Sequence, residues 1–196
     1  MKRIVLASNN PGKLREIQAL AVGKLELLLQ SDFAVPEVEE TGLSFVENAI
    51  IKARHAARHT GLPTLADDSG LEVEALSGAP GIRSARYAGP QANDAENLQK
   101  LLQDLADVPE HQRRARFQCV VVYMAHADDA TPIICQGTWE GRILSEPRGD
   151  QGFGYDPLFY VPTHHCSAAE LPPALKNTLS HRGKALRQLF NVLEAH

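Results

Sequence analysis

The sequence predicts an α/β fold built on a mixed β-sheet, and three observations carry that prediction. Through the first third of the chain, short apolar runs, the first of them β-branched, alternate with helix-period segments, the pattern of strand–helix–strand units. Further on, the long apolar run 115–125 and the run 133–139 are separated only by a turn at 127–132. That spacing gives an antiparallel hairpin, so the sheet is mixed rather than purely parallel. Finally, 43% of the 196 residues are apolar, enough for a sizeable core, which sets aside disorder and small stapled scaffolds. The length fits a single domain, residues 1–196, split by a cleft into two lobes.

Taken in order, Arg3-Ile4-Val5-Leu6-Ala7 is a buried first strand. The polar segment Ser8-Asn9-Asn10-Pro11-Gly12-Lys13 follows, and Leu14, Ile17, Ala19, Leu20 and Ala21 carry an amphipathic helix. This unit sets backbone N–H groups and Lys13 at a helix N-terminus, where phosphate is favoured, although the spacing is not that of a Walker A loop. Residues 26–30 form a second strand, and the acidic stretch 36–42 reads as a solvated loop. Ser44-x-x-Glu47 is a capping box opening a helix with Phe45, Ala49, Ala53 and Ala56 at helical spacing, stopped by Gly61 with Pro63 beyond. Asn48 and Lys52 share one face of it, so Lys52 can meet a phosphate or one of the loop acids. His55 and His59 also stand four apart, but no Glu-x-x pattern accompanies them.

The central stretch is Leu65-Ala66-Asp67-Asp68-Ser69-Gly70. Residues 64–66 read as the end of a buried strand, and Asp-Asp-Ser-Gly reads as a turn with exposed backbone. Adjacent strand side chains point to opposite faces, so one carboxylate faces a cleft and the other a supporting network. Carboxylates at a strand lip suit a hard cation such as Mg²⁺. Residues 71–76 alternate as a half-buried strand, and Leu98, Leu101, Leu102 and Leu105 mark a helix within 93–107. In Gly149-Asp150-Gln151-Gly152-Phe153-Gly154-Tyr155-Asp156-Pro157, glycines flank two aromatics. The stretch is either a hairpin loop with core anchors or a platform on which a flat ligand stacks. A strand at 158–161 follows, and Lys176 and Ser180-His181-Arg182-Gly183 precede the last helix. His181 and Arg182 can present donors to a base edge.

A formal charge of −4 argues against a general nucleic-acid partner but not against one nucleotide, since a few lysines can gather locally. Cys119, Cys135 and Cys166 are odd in number and lack C-x-x-C spacing. They read as reduced thiols of a cytoplasmic protein, with Cys119 packed in a strand. The apolar run 4–7 is too short for a signal-peptide core, and no window approaches a membrane span.

A phosphate-type loop with a lysine, a carboxylate pair, an acidic loop, an aromatic–glycine platform and a donor cluster together describe a nucleoside-triphosphate site with Mg²⁺. The motifs Ser8–Lys13, Glu39-Glu40-Thr41-Gly42, Phe45-x-Glu47-Asn48-Ala49-x-x-Lys52-Ala53, Ala66–Gly70, Gly81-x-x-Ser84-Ala85-Arg86-Tyr87, Gly152–Pro157 and Ser180–Arg182 cover nearly the whole chain. In this set and order the chain resembles the Ham1/RdgB family of inosine/xanthosine triphosphate pyrophosphatases. The resemblance implies an elongated mixed sheet flanked by helices, two lobes around a nucleotide-binding cleft, and a homodimer. It also implies Mg²⁺-dependent hydrolysis of ITP, dITP and XTP to monophosphate and pyrophosphate. By the same resemblance Asp68 is the general base and a metal ligand, and Glu39 is the second metal-binding acid, with Glu40 and Glu37 as alternatives. Substrate-binding residues are then Ser8, Asn9, Asn10, Pro11, Gly12, Lys13, Ser69, Phe153, Gly154, Tyr155, Asp156, Lys176, His181 and Arg182. Ser8 stands where threonine is usual, and the approach to Lys176 through 171–175 is less charged than the family pattern. Rival readings are a nucleotide-binding regulator, a phosphomonoesterase, whose usual Asp-x-Asp is absent here, and a purely structural protein.

Overall fold

The structure, a computed structural model, describes residues 2–195. Its strands are β1 (Lys2–Leu6), β2 (Leu25–Leu29), β3 (Thr64–Val73), β4 (Arg114–Met124), β5 (Ile133–Ile143), β6 (Phe159–Val161) and β7 (Cys166–Ser167). The helices are α1 (Pro11–Ala21), α2 (Phe45–Thr60), α3 (Asp94–Asp104), α4 (Pro173–Leu179) and α5 (His181–Glu194). The sheet order is β2-β1-β3-β4-β5-β6-β7. β1 runs parallel to β2 and to β3, whereas β6 is antiparallel to β5 and β7, so the sheet is mixed as expected. Among the described residues no helix is long and apolar enough to cross a membrane.

The chain forms two compact units. The first holds the residues up to Asp68, then Cys119–Gly137, then the chain from Arg182 onward. The second holds Ser69–Gln118 and Thr138–His181. In the first unit the period-2 alternation of strands sorts side chains to two faces. Ile4, Leu6, Leu65, Cys119 and Val121 pack with Ile17 of α1 and with Leu186 and Leu189 of α5. Ala7, Ala66, Val120 and Val122 pack with Ala49, Ala53 and Ala56 of α2. By the same alternation Asp67 falls on the α1/α5 face with Leu65, and Asp68 on the α2 face with Ala66. In the second unit Leu71, Val73, Phe117, Trp139 and Phe159 enclose a core with Leu101 and Leu105. Cys119 is fully buried, which pushes its thiol up to about 12, so it is packing rather than chemistry. The three cysteines are free.

Several expectations are corrected. Asp67-Asp68-Ser69-Gly70 is not a turn, because β3 continues through it from Thr64 to Val73. Turn composition is overridden where a strand is buried and its carboxylates find cations nearby. The strand expected at 71–76 ends at Val73, and Glu74–Leu76 tighten into a 3₁₀ turn. α4 is additional to the expected elements and starts at Pro173, where the missing N–H of proline costs nothing. His181 and Arg182 do not precede the last helix but form its first turn.

Candidate active site

In the first unit, two basic groups reach Asp67 from one face of the sheet. Ala7 N–H donates to the Leu65 carbonyl at 2.8 Å, so the chain leaves β1 alongside β3. There Asn10 caps α1, its side-chain oxygen accepting from Lys13 N–H at 3.0 Å, and Ser8 Oγ accepts from Asn10 N–H at 3.2 Å. This capped turn aims Lys13 at β3, with Nζ 3.2 Å from Asp67 Oδ2. Arg182 meets the same oxygen through Nε at 3.3 Å and Nη2 at 3.2 Å, while its Nη1 pairs with Glu16 of α1. Asp67 and Arg182 are 1% and 2% exposed. Burial opposes charge on Asp67, but Lys13, Arg182 and Lys52 outweigh it and hold the carboxyl well below the usual carboxylate range.

Asp68, on the opposite face, meets α2. Lys52 Nζ lies 2.7 Å from Asp68 Oδ1 and 3.1 Å from Glu40 Oε1. Burial pushes the Asp68 carboxyl above its ordinary value of 3.8, only partly countered by Lys52 and Lys13. Burial disfavours the charged Lys52 ammonium, but Asp68, Asp67 and Glu40 together keep it protonated. Two adjacent carboxylates are thus driven apart, Asp67 downward by its cations and Asp68 upward by burial.

The acidic loop contributes Glu40 to this cluster. Glu39 is exposed and makes no ion pair among the described residues. The donor set fits a hard divalent cation in a limited way. Asp68 and Glu40 already direct oxygens at one cationic centre, the Lys52 ammonium, but no group of three or more His, Cys, Asp or Glu stands ready for a metal among the described residues. One or two carboxylates are what a hard divalent cation can take from protein when water and phosphate oxygens supply the rest of its shell.

The second unit carries a buried loop assembly. The Asp156 carboxylate accepts from Phe153 N–H at 2.9 Å and from the Lys176 ammonium, which also lies 5.1 Å from the centre of the Phe153 ring. Gly152 has φ +78°, and a Cβ there would sit 2.1 Å from Asp156 Oδ2, so only glycine fits. Gly154 N–H donates to Asp94 at 2.7 Å, and Tyr155 OH donates to the Ser84 carbonyl at 2.8 Å. Ser84 Oγ in turn accepts from Leu71 N–H at 2.9 Å, which gives the Gly81–Tyr87 motif its structural purpose. His181, 5% exposed, stacks on Phe117 with ring centres 4.7 Å apart. Tyr155 and Asp156 therefore anchor the loop, and Phe153 and Gly154 are its half-exposed members, while Ser69 is half-exposed on β3.

Sequence reasoning missed Glu16, Asp94 and the structural part of Ser84. Glu16 sits on α1 one turn after Lys13, and Asp94 follows the cap of α3, where an acid reads first as favouring the helix dipole.

The model of the Ham1 family matches residues 4–192. The dITP/XTP pyrophosphatase of Vibrio cholerae is 61% identical over 195 residues, covering 99% of this chain and 98% of the relative. That of Escherichia coli O157:H7 is 55% identical over 194 residues, covering 98% of each. Among solved structures, a HAM1 protein from Coxiella burnetii superposes with a TM-score of 0.92 at 55% identity, covering all of both chains. The Staphylococcus aureus Ham1 protein does so with 0.87 at 42% identity, covering 99% of each.

Proposed function

The chain belongs to the Ham1 family, and from that premise we propose that it hydrolyses the non-canonical purine nucleoside triphosphates dITP, ITP and XTP to monophosphate and pyrophosphate. Such an activity clears deaminated purines from the nucleotide pool. The observation that carries the reading is the Asp68–Lys52 pair: a buried carboxyl raised above its ordinary value, held beside cations that a triphosphate requires. Ser8, Asn9, Asn10, Pro11, Gly12 and Lys13 hold phosphate oxygens with Lys52, and Asp68 takes the proton of the attacking water. General-base catalysis of this kind is worth ~10²–10⁴-fold. Asp67 acts through Lys13, which it orients. Asp68 and the acidic loop would hold Mg²⁺, which when bound would supply charge neutralisation on the phosphate oxygens. In the second unit, Ser69, Phe153, Gly154, Tyr155, Asp156, Lys176 and His181 serve the nucleoside. Phe153 offers the ring, and Asp156 acts by holding Phe153 and Lys176 in place. Arg182 serves the substrate through its grip on Asp67.

Incubation with Mg²⁺ and each triphosphate tests this. Monophosphate and pyrophosphate are expected from dITP, ITP and XTP. ATP presents a donor where these bases present a keto oxygen, and a pocket of polar donors rejects such a mismatch by up to ~10⁴–10⁵-fold. GTP keeps the keto oxygen and is excluded less severely, at its 2-amino group. Orthophosphate as product, or comparable kcat/KM for ITP and ATP, would sink the reading.

Within the acidic loop, Glu40→Gln is expected to raise the Mg²⁺ concentration for half-maximal rate more than Glu39→Gln does, with the melting temperature unchanged. The reverse order would make Glu39 the second metal ligand. The protein is further proposed to be a cytoplasmic homodimer, with no nucleic-acid or membrane partner. Three free thiols support the reducing compartment, and light scattering after gel filtration reads the assembly.

A further inference from the structure

The acidic loop owes its place beside Lys52 to a side chain that the reaction itself does not use. Asn48 lies one helical turn before Lys52 on the same face of α2 and is fully buried. Its Oδ1 accepts from Gly42 N–H at 2.8 Å, and Gly42 is two residues beyond Glu40. The approach is close: a Cβ on Gly42 would stand 2.5 Å from Glu47 Cβ and 2.7 Å from Asn48 Oδ1. Glu47 secures the following residues, accepting from Leu43 N–H at 3.0 Å and Ser44 Oγ at 2.6 Å. On the Glu40 side of those contacts, the Asn48 bond is the anchor next in line. The Asn48 Nδ2 group is buried without a hydrogen-bond partner among the described residues. Packing alone would favour an apolar side chain there, since a buried amide left half-satisfied is destabilising. The requirement is therefore for its oxygen.

We infer that Asn48 is a positioning residue: it pins the Glu39–Gly42 loop onto α2, so that Glu40 and Lys52, each a few residues from the pin, meet beside Asp68. This rests on the proposed function only for its kinetic readout. The pin sets the distance between an acid of the loop and a base of the helix, which the ordinary helix cap cannot do because it ends at Leu43.

The test combines amide hydrogen exchange with Mg²⁺ dependence in the full chain. In the unmodified protein the Gly42 amide should be protected, and an unprotected Gly42 would overturn the inference without recourse to any variant. In Asn48→Ala, exchange at Gly42 should quicken about tenfold or more while the amides of 50–56 in α2 keep their rates. Half-saturating Mg²⁺ should rise severalfold. In a Glu40→Gln background Asn48→Ala should then add less than about twofold, because contacts acting through one another are not additive. Gly42→Ala, which displaces the loop and leaves Asn48 intact, should reproduce both effects. Additive effects of Asn48→Ala and Glu40→Gln would reduce Asn48 to a stability residue and overturn the positioning role. The exchange readout needs no turnover. A protected Gly42 in a protein that hydrolyses none of the triphosphates would count against the function, not against the pin.

Discussion

Asp68→Asn should leave a folded protein that binds nucleotide within about tenfold of the unmodified chain yet turns over at least ~10²-fold more slowly. The change keeps the shape of the side chain and a hydrogen-bonding oxygen for Lys52 but removes the proton acceptor. Stability should hold or rise, because the Asp68 carboxyl is raised by burial, and a group whose folded pKa lies above its unfolded value disfavours folding once it ionises. Lys52 retains Glu40 as a partner. In the intact enzyme kcat/KM should climb with pH through a value above 3.8, the ordinary carboxyl value. Lys52 holds that value down, so Lys52→Met should move the acid limb to higher pH. The position of the base also fixes where water attacks. If Lys13 and Lys52 grip the outer phosphates as a neutralised leaving group, attack falls in line on the α-phosphorus. Turnover in ¹⁸O-water should then label the monophosphate and not the pyrophosphate. Label in pyrophosphate would refute α-attack, and a nearly active Asp68→Asn protein would remove Asp68 from the chemistry.

The parts of this picture legible in the sequence are those written in local patterns. The first strand and its capped helix, the Ser44 cap and Gly61 stop of α2, and the apolar runs of β4 and β5 each declare themselves within a dozen residues. The motifs around Lys13, Asp68 and Phe153 were equally readable. What the sequence hid was pairing at a distance. Asp-Asp-Ser-Gly has the composition of a turn, and only the cations brought by α1, α2 and α5 explain why β3 runs on through it. Arg182 reads as a donor for a base edge, and nothing near it in sequence shows that Asp67, 115 residues away, and Glu16 also engage it. Glu39 and Glu40 are indistinguishable as letters, and which one meets Lys52 depends on how Gly42 docks against Asn48. The opposite facing of Asp67 and Asp68 did follow from strand alternation alone; which of the two carboxyls is lowered and which raised did not, because that depends on burial and on the cations on each side.

That difference in cations gives the second large effect. Asp67→Ala should cost about 3–5 kcal/mol of stability, the usual penalty for stripping one partner from a buried ion pair. Arg182, 2% exposed, would lose Asp67 while keeping Glu16, and Lys13 would lose the anion that orients it. For a chain of this length that corresponds to a melting temperature lower by roughly 6–20 °C. The effect has a pH signature of definite sign. The folded pKa of Asp67 lies below its unfolded value of 3.8, so its contribution is complete at neutral pH and drains away as pH falls from about 5 through the folded value. The unmodified protein should therefore lose stability over that acid range more steeply than Asp67→Ala, and the two melting curves should converge at low pH. Asp68→Asn, one residue along the same strand, should show no such loss. Should Asp67→Ala melt with the unmodified protein at neutral pH, Arg182 and Lys13 must find their compensation elsewhere, and Asp67 would not be the anion around which this face of the site is built. If instead it melts early and also raises KM for ITP, the same carboxylate both stabilises the fold and holds Lys13 in position for phosphate, which its burial between Lys13 and Arg182 leads one to expect.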